Sequence, residues 1–204
     1  IHMGAISATT EKNVDKIIIN NFILSSELWE TAKDRGIPFI YASSAATYGN
    51  GANGFDDDQC IKTLSRLRPL NPYGWIKLIF DQKIISNLAE HTRTPPQWAG
   101  LKFFNVYGPN ESHKGDMRSV INKVYPQVRD NETISLFKSH VAEYKDGGQL
   151  RDFIYVKDCV KIILWLLENK KISGIFNIGT GIPRSFDDLV KSVGMSIGKS
   201  PKIK

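Results

Sequence analysis

The chain contains 204 residues, of which 41% are hydrophobic and 24% are charged. This composition excludes disordered, fibrous and disulfide-stapled proteins. The 27 basic residues outnumber the 21 acidic ones, but they are scattered and do not alternate with aromatic residues, so we expect no nucleic-acid partner. The longest apolar run, residues 162–167, is far shorter than the roughly 20 residues of a membrane helix, so we expect no membrane partner.

The cysteine and histidine residues bear on the compartment and on metal binding. Cys60 and Cys159 lie far apart, and the four histidines do not have the spacing of metal ligands. With no signal peptide ahead of the globular pattern, this usage favours the reducing cytoplasm and predicts no bound metal. The chain starts at Ile1 and stops at Lys204, where a strand begins, so we expect a fragment truncated at both ends.

Helices and strands alternate along most of the chain. Apolar residues of the first predicted helix fall mostly on one face, and each predicted helix precedes a short apolar run that is typical of a buried parallel strand. This alternation predicts an α/β fold with a doubly wound parallel sheet, Rossmann-like and incomplete at the N-terminus, that binds ligands at the carboxyl ends of its strands. Trp29 and Trp165 are expected in the core. The helices are predicted over residues 12–35, 73–90 and 160–168, and the strands over residues 37–42, 99–104 and 174–178.

Residues 109–150 interrupt this alternation with a predicted helix at 119–128, a short strand at 134–137 and a polar loop at 139–149. We interpret the segment as part of a smaller substrate-binding lobe. Further on, Ser185 and Asp188 have the spacing of an N-terminal capping pair for a last helix. The predicted regions are a partial dinucleotide-binding domain at 1–108, a substrate-lobe segment at 109–150, a return to the Rossmann-like domain at 151–182 and the start of a C-terminal substrate lobe at 183–204.

The stretch from Gly49 to Gly54 matches the dinucleotide fingerprint G-x-G-x-x-G. That fingerprint binds pyrophosphate only where the glycines follow a strand and open a helix. Here three aspartates follow at residues 56–58, and their charge would repel phosphate. We therefore predict a surface loop rather than a phosphate site.

Tyr73 and Lys77 form the most informative pair in the sequence. Residues four apart on a helix share one face, so a phenol and an ammonium can converge on one point, where the cation favours the phenolate that a base needs. Upstream, a predicted strand ends in Ser43 and Ser44. Hydroxyl groups at the carboxyl end of a parallel strand lie where α/β proteins place their ligand-binding and catalytic residues.

Four motifs follow one another in a recognisable order: 41–49, the Tyr73–Lys77 pair, 104–109 and 151–158. Together they resemble the extended short-chain dehydrogenase/reductase family of nucleotide-sugar enzymes. Within that family, residues 4–11 and 113–117 resemble the epimerases that act on ADP-heptose. The family's first strand and glycine-rich turn are missing from this sequence, so we expect the chain by itself to bind NADP poorly.

The resemblance implies a reaction and its catalytic residues. Tightly bound NADP, with NAD as an alternative, would oxidise C6 of ADP-D-glycero-D-manno-heptose and return the hydride to the opposite face, for lipopolysaccharide core synthesis. Tyr73 and Lys114 would be the acid/base pair, and Ser44 would donate a hydrogen bond to the reacting oxygen. Lys77 would hold the nicotinamide ribose and lower the pKa of Tyr73. Lys114 could instead be a solvated loop lysine.

The resemblance also implies binding residues. Asp116 and Lys123 stand where the family has a serine and a histidine that contact substrate, and Arg151 would bind the diphosphate unless it pairs with Asp152 or another carboxylate. The implied cofactor contacts are Lys77, Met3, Gly4, Ala5, Ile6, Ser7, Asn20 and Val106, and the implied substrate contacts are Ser44, Asn105, Phe137, Arg151, Asp116 and Lys123.

Two other functions stay open at this point. UDP-galactose 4-epimerases share the Ser-Ala-Thr and Tyr-x-x-x-Lys patterns but lack the His-Lys-Gly element of residues 113–115. A nucleotide-binding module of this fold that has lost its chemistry is the second alternative, against which the intact Tyr73 and Lys77 argue. Sugar dehydration is disfavoured because Ala45 and Ala46 replace the family's Asp-Glu pair. We expect a homo-oligomer whose partner is a small-molecule nucleotide sugar.

Overall fold

The computed structural model describes residues 1–139, 142 and 144–204. His140, Val141 and Glu143, in the predicted loop at 139–149, lie outside the described residues. The helices are α1 (Val14–Ile17), α2 (Leu24–Arg35), α3 (Ile61–Leu64), α4 (Pro72–Ala89), α5 (Val120–Arg129), α6 (Val156–Glu168) and α7 (Phe186–Ser196). The strands are β1 (Phe39–Ser44), β2 (Trp98–Phe103), β3 (Asn105–Tyr107), β4 (Thr133–Ile134), β5 (Leu150–Tyr155), β6 (Gly174–Ile178), β7 (Pro183–Ser185) and β8 (Lys202–Ile203).

The chain divides into two compact units. Unit 1 contains residues 1–103 and 161–178, and unit 2 contains residues 104–160 and 179–204. The assignment of the four predicted regions to cofactor and substrate binding stays a prediction.

Unit 1 is built on a parallel sheet in the order β1-β2-β6. The predicted α/β class with parallel strands is confirmed. His2 extends this sheet as an isolated parallel bridge to Tyr41, with its N–H bonded to the Ile40 carbonyl at 2.7 Å. Strand β1 begins two residues later than predicted because Pro38 has no N–H to donate, so pairing starts with the Phe39 N–H on the Gln97 carbonyl. The prediction that the strand ends in Ser43 and Ser44 is confirmed.

Aromatic side chains fill much of the core of unit 1. Trp29 contacts both Phe39 and Trp98 edge to face, and all three are buried. Tyr41 lies across β2 opposite Gly100, where a Cβ atom would come within 2.4 Å of the Tyr41 hydroxyl. The prediction that Trp165 belongs to the core is wrong, because its side chain is 51% exposed on the outer face of α6.

Two helical segments of unit 1 lie next to the residues that carry the predicted site. The helix predicted over residues 12–35 is continuous from α1 to α2 through a π-helical segment, Ile18–Ile23. Helix α4 starts after Asn71, whose side chain accepts the Gly74 N–H at 2.9 Å. A Cβ atom on Gly74 would lie 2.7 Å from the Ala46 carbonyl, so glycine lets the start of α4 approach the turn that follows β1.

The described residues of unit 2 form two small sheets, β3-β5-β7 and β4-β8. Its core lies between α5 and α7, where valine, leucine and isoleucine side chains pack at helical spacing. The predicted capping pair is confirmed, because the Ser185 side chain accepts the Asp188 N–H and the Asp188 carboxylate accepts the Ser185 N–H. The buried residues of this core are Val124, Val128, Ile134, Leu189, Val190 and Val193.

The stretch from Gly49 to Gly54 is a series of turns, as predicted. Gly49 has a φ of +63°, and a Cβ atom there would lie 1.9 Å from the Arg68 carbonyl oxygen. A glycine is therefore needed for the chain to turn at this point. The next helix, α3, has four residues and starts after the aspartates. Among the described residues, no helix is long and apolar enough to cross a membrane, and no three acidic, histidine or cysteine side chains group as metal ligands would.

Candidate active site

Ser44, Tyr73 and Lys77 come together at the carboxyl end of β1. Ser44 accepts the Ala46 N–H with its Oγ at 3.1 Å, which leaves its hydroxyl hydrogen for a bond to the phenol oxygen of Tyr73. Lys77 lies one helical turn after Tyr73, with its Nζ 5.9 Å from the centre of the phenol ring. The sequence prediction that this pair shares one face of a helix is confirmed.

The electrostatics of this cluster are dominated by burial. Burial raises the pKa of Tyr73, the hydrogen bond with Ser44 lowers it and the charge of Asp81 raises it, with a net upward shift. This direction is opposite to the expected effect of Lys77. Burial also lowers the pKa of Lys77 to about 8, against the charge of Asp81. Near neutral pH the cluster therefore holds a protonated phenol beside an ammonium that loses its proton close to the physiological range.

The segment Met3–Ser7 follows His2 at the same edge of the sheet, because parallel strands end on one side. Asn21 holds the segment: its side chain accepts the Ile6 N–H at 2.8 Å and donates to the Ile6 carbonyl at 2.9 Å. Asn20, the predicted cofactor contact, is exposed and donates to the Lys16 carbonyl. The structure thus brings Asn21 to this segment, and the role of Asn20 stays a prediction.

A nicotinamide cofactor fits the donors of this edge. Lys77 is 4% exposed, and its Nζ donates to the Ala42 carbonyl at 2.6 Å. An ammonium has three N–H groups, so further donors are available to the hydroxyls of a ribose. The half-buried phenol of Tyr73 beside it can exchange a proton with a substrate hydroxyl.

Unit 2 contains a cavity of about 290 Å³ that gathers four of the predicted site residues. Phe137 is 61% exposed and contacts Phe186 edge to face at 5.2 Å between ring centres. A rigid aromatic surface beside polar side chains is suited to a sugar or a nucleobase. The predicted site residues on its wall are Asn105, Val106, Lys114 and Phe137.

Glu111 fixes the loop that carries Lys114. Its carboxylate accepts the Gly108 N–H at 3.1 Å, and the N–H and hydroxyl of Ser119, each at 2.7 Å. The Lys114 Nζ lies 3.7 Å from the same carboxylate, and its side chain is 46% exposed. Glu111 thereby joins both ends of the 3₁₀ segment Ser112–Met117 and holds its one lysine at the cavity wall.

Arg151, Asp116 and Lys123 have other partners. The Arg151 guanidinium lies 5.8 Å from the centre of the Phe186 ring, while the Asp152 carboxylate accepts the N–H groups of Thr180 and Gly181. The alternative ion pair between Arg151 and Asp152 is therefore not formed. Lys123 donates to the Asp116 carbonyl at 2.6 Å. Neither of these two residues is on the wall of the cavity, and their substrate contacts stay predictions.

The sequence analysis missed Asp81, Lys102, Glu111 and Asn21. Asp81 follows Lys77 by four residues and Tyr73 by eight, so helical spacing alone could have placed it on their face. Lys102 is a charged residue in an otherwise apolar strand, a pattern that demands a buried counter-charge. Asn21 gave no comparable signal, because both partners of its side chain are backbone groups of Ile6 that only the fold brings near. Glu111 offered only its three-residue spacing from Lys114.

The fold and the cluster at the end of β1 define a Rossmann-type α/β protein. A sequence profile of the NAD dependent epimerase/dehydratase family matches residues 1–179, and the chain belongs to this family.

Relatives with curated names or solved structures extend this result. The chain is 50% identical over 203 residues to the ADP-L-glycero-D-manno-heptose-6-epimerase of Nitratidesulfovibrio vulgaris strain DP4, an alignment that covers 100% of this chain and 61% of that protein. The crystal structure of the enzyme of that name from Helicobacter pylori has a TM-score of 0.78 and 29% identity, over 100% of this chain and 58% of that one. The structure of MoeE5 in complex with UDP-glucose and NAD has a TM-score of 0.73 and 27% identity, over 99% of this chain and 63% of that one. The chain thus spans about three fifths of the length of these relatives.

Proposed function

We propose that a full-length protein containing this chain inverts C6 of ADP-D-glycero-D-manno-heptose to give the L-glycero epimer. The observation that carries the proposal is Lys114 on the wall of one cavity with Asn105 and Phe137, in a chain 50% identical along its whole length to a curated 6-epimerase of this name. We further propose that this protein is a cytoplasmic homo-oligomer that acts in lipopolysaccharide core synthesis.

The proposed cofactor is NADP, with NAD as the alternative. When bound, it would accept a hydride from the C6 carbon and return it. Lys77 would hold the nicotinamide ribose, since its buried ammonium has donors beyond the bond to Ala42. Met3–Ser7, Asn20 and Val106 would supply further contacts.

Residues of this chain would accept and donate the protons of the reaction. Loss of a hydride from a carbinol requires a group that takes the hydroxyl proton, and inversion requires proton donors for two orientations of the substrate. Tyr73 would serve one orientation, with Ser44 donating a hydrogen bond to the reacting oxygen. Lys114, from a separate loop, would serve the other. Arg151 suits the diphosphate because a guanidinium makes two parallel hydrogen bonds to phosphate oxygens.

The test is turnover by the full-length protein with ADP-D-glycero-D-manno-heptose and, separately, with UDP-galactose, each followed by NMR. We expect the heptose nucleotide alone to be epimerised, and Tyr73→Phe to slow this turnover by about 10² to 10⁴. Turnover of only the galactose nucleotide would make the protein a UDP-galactose 4-epimerase, and no turnover of either would favour a silent nucleotide-binding module. Denaturing the purified protein and identifying the released nucleotide decides between NADP and NAD.

A further inference from the structure

A fully buried ion pair lies beneath the cluster of Ser44, Tyr73 and Lys77. Asp81 of α4 and Lys102 of β2 are both 0% exposed, and their Oδ2 and Nζ atoms are 3.0 Å apart. The Asp81 carboxylate also accepts the hydroxyls of Tyr41 at 2.9 Å and Ser43 at 2.7 Å. Two side chains of β1 are thus bound to one carboxylate of the helix that carries Tyr73.

Lys102 extends the same network to the turn after β1. Its Nζ donates to the Thr47 hydroxyl at 2.7 Å and lies 4.9 Å from the centre of the Tyr48 ring. The Thr47 hydroxyl donates to the Ser44 carbonyl at 2.9 Å. The ion pair therefore connects the central strand of the sheet, the end of β1, the turn and α4.

A buried ion pair of this kind is seldom the most stabilising way to fill a core. Removing two charges from water costs more than most buried ion pairs regain, and well-packed apolar side chains of similar volume are often as stabilising. Here the hydrogen-bonding capacity of both groups is used on segments that hold site residues: Ser43 precedes Ser44, and Asp81 shares a helical face with Lys77. The location points to a role in the site.

We propose that Asp81 and Lys102 are positioning residues, whose ion pair fixes the end of β1, the following turn and α4 so that Ser44, Tyr73 and Lys77 stay together. The inference rests on the proposed function for its kinetic consequence. Asp81 also acts on the electrostatics of the site, since its charge raises the pKa of Lys77 against burial. Two other titratable groups lie near Lys77: its charge lowers the pKa of His2 beside β1, and its Nζ lies 5.9 Å from the centre of the Tyr73 ring on α4.

The test uses the full-length protein and four variants. Asp81→Asn removes one charge and keeps the side-chain shape, and Asp81→Asn/Lys102→Met removes both charges, so that neither is left unpaired. Ser43→Ala removes one hydrogen bond and keeps both charges. The matched control is Gln97→Met, at the opposite end of β2, which removes a buried side chain bonded to the Leu166 carbonyl at 2.7 Å.

Three properties are measured for each variant: the melting temperature, kcat and KM as functions of pH, and the titration of Lys77 by NMR of its side chain after removal of cofactor. We expect Asp81→Asn to lower the Lys77 midpoint and to move the alkaline limb of kcat in the same direction, because the charge of Asp81 raises the pKa of Lys77. Loss of positioning lowers kcat by about 10-fold or more, with KM changed far less. The double variant recovers melting temperature without recovering kcat. Ser43→Ala lowers kcat several-fold with an unchanged pH profile.

A purely structural pair gives a different pattern. The double variant would then recover kcat together with stability, and Ser43→Ala would keep wild-type kcat; either result overturns the proposal. If the Asp81 variants do not fold, Ser43→Ala against Gln97→Met decides, since only the former is expected to lower kcat. If the wild-type protein turns over no sugar nucleotide, the proposed function fails, and an unchanged Lys77 midpoint in Asp81→Asn would overturn the inference separately.

Discussion

The two groups of site residues are built in opposite ways. In unit 1, Tyr73 is half-buried, Lys77 is 4% exposed, and the ion pair beneath them is fully buried. In unit 2, Lys114 is 46% exposed on the 3₁₀ segment Ser112–Met117, and Phe137 is 61% exposed after β4. The residues of unit 1 are fixed by the interior of a sheet, whereas these two side chains of unit 2 lie on exposed connecting segments.

This difference fits two tasks of the proposed function. Proton and hydride chemistry needs groups held in one geometry, which packed strands and helices provide. Recognition of one sugar among many is commonly carried by loops on a rigid scaffold, because loops change without disturbing the core. In the resemblance to nucleotide-sugar enzymes, the Tyr-x-x-x-Lys pattern of unit 1 is common to two kinds of epimerase, whereas the His-Lys-Gly element of unit 2 belongs to one kind.

The largest expected effect is that of Tyr73→Phe in the full-length protein. Removal of a positioned acid/base group lowers kcat by about 10² to 10⁴. KM should change little, because the hydroxyl would act in the transition state. Steady-state kinetics with ADP-D-glycero-D-manno-heptose measure both. Tyr125→Phe, at a tyrosine that is 46% exposed on α5, is the control; full kcat in Tyr73→Phe would remove the phenol from the mechanism.

Lys114→Met tests whether the exposed lysine of unit 2 takes part in proton transfer or only binds substrate. As the second acid/base group, it should lower kcat by about 10² to 10⁴ with little change in KM. The control is Lys191→Met, at a lysine paired with Asp187 on the surface of α7. Wild-type kcat with a raised KM would make Lys114 a phosphate or sugar binder and leave Tyr73 as the one base.

The contrast also explains how far the sequence could be interpreted. Regular spacing placed Tyr73 and Lys77 on one helical face, and alternation of elements predicted the parallel sheet. Asp81 and Lys102 carry the same kind of signal, but their pairing depends on which strand lies under which helix. Trp165 was misassigned because apolar periodicity cannot distinguish a face that packs from one that remains exposed.

Glu111→Gln should show how much the loop in unit 2 depends on one carboxylate. Bonds to a charged acceptor contribute about 1.5–3 kcal/mol each, and glutamine replaces that acceptor with a weaker one. We expect a reduced free energy of unfolding, measured in urea, and a lowered kcat, because Lys114, the proposed second acid/base group, is no longer held at the cavity wall. An unchanged kcat would show that the loop is positioned by other contacts.

The pH dependence of this effect has a definite sign. Burial raises the pKa of Glu111, but hydrogen bonds from Ser119 and Gly108 and the charge of Lys114 offset it, so that the pKa lies below its ordinary value. A carboxyl group with a lowered pKa stabilises the fold above its ordinary pKa and loses this contribution as the pH falls through the lowered value. The stability difference between wild type and Glu111→Gln should therefore be full at neutral pH and shrink below about pH 4.

The smallest expected effect distinguishes two neighbouring asparagines in unit 1. Asn21→Ala removes both bonds to Ile6, each of which contributes about 1 kcal/mol, whereas Asn20→Ala removes an exposed bond and should leave stability within about 0.5 kcal/mol. If Asn20 contacts the cofactor as the resemblance implies, Asn20→Ala will weaken cofactor retention at wild-type stability. If the buried neighbour alone matters, retention will fall only in Asn21→Ala, in step with the loss of stability. Calorimetric titration of cofactor-free full-length protein, together with urea unfolding of both variants, separates the two results, because a contact changes affinity alone and a support for Met3–Ser7 changes affinity and stability together.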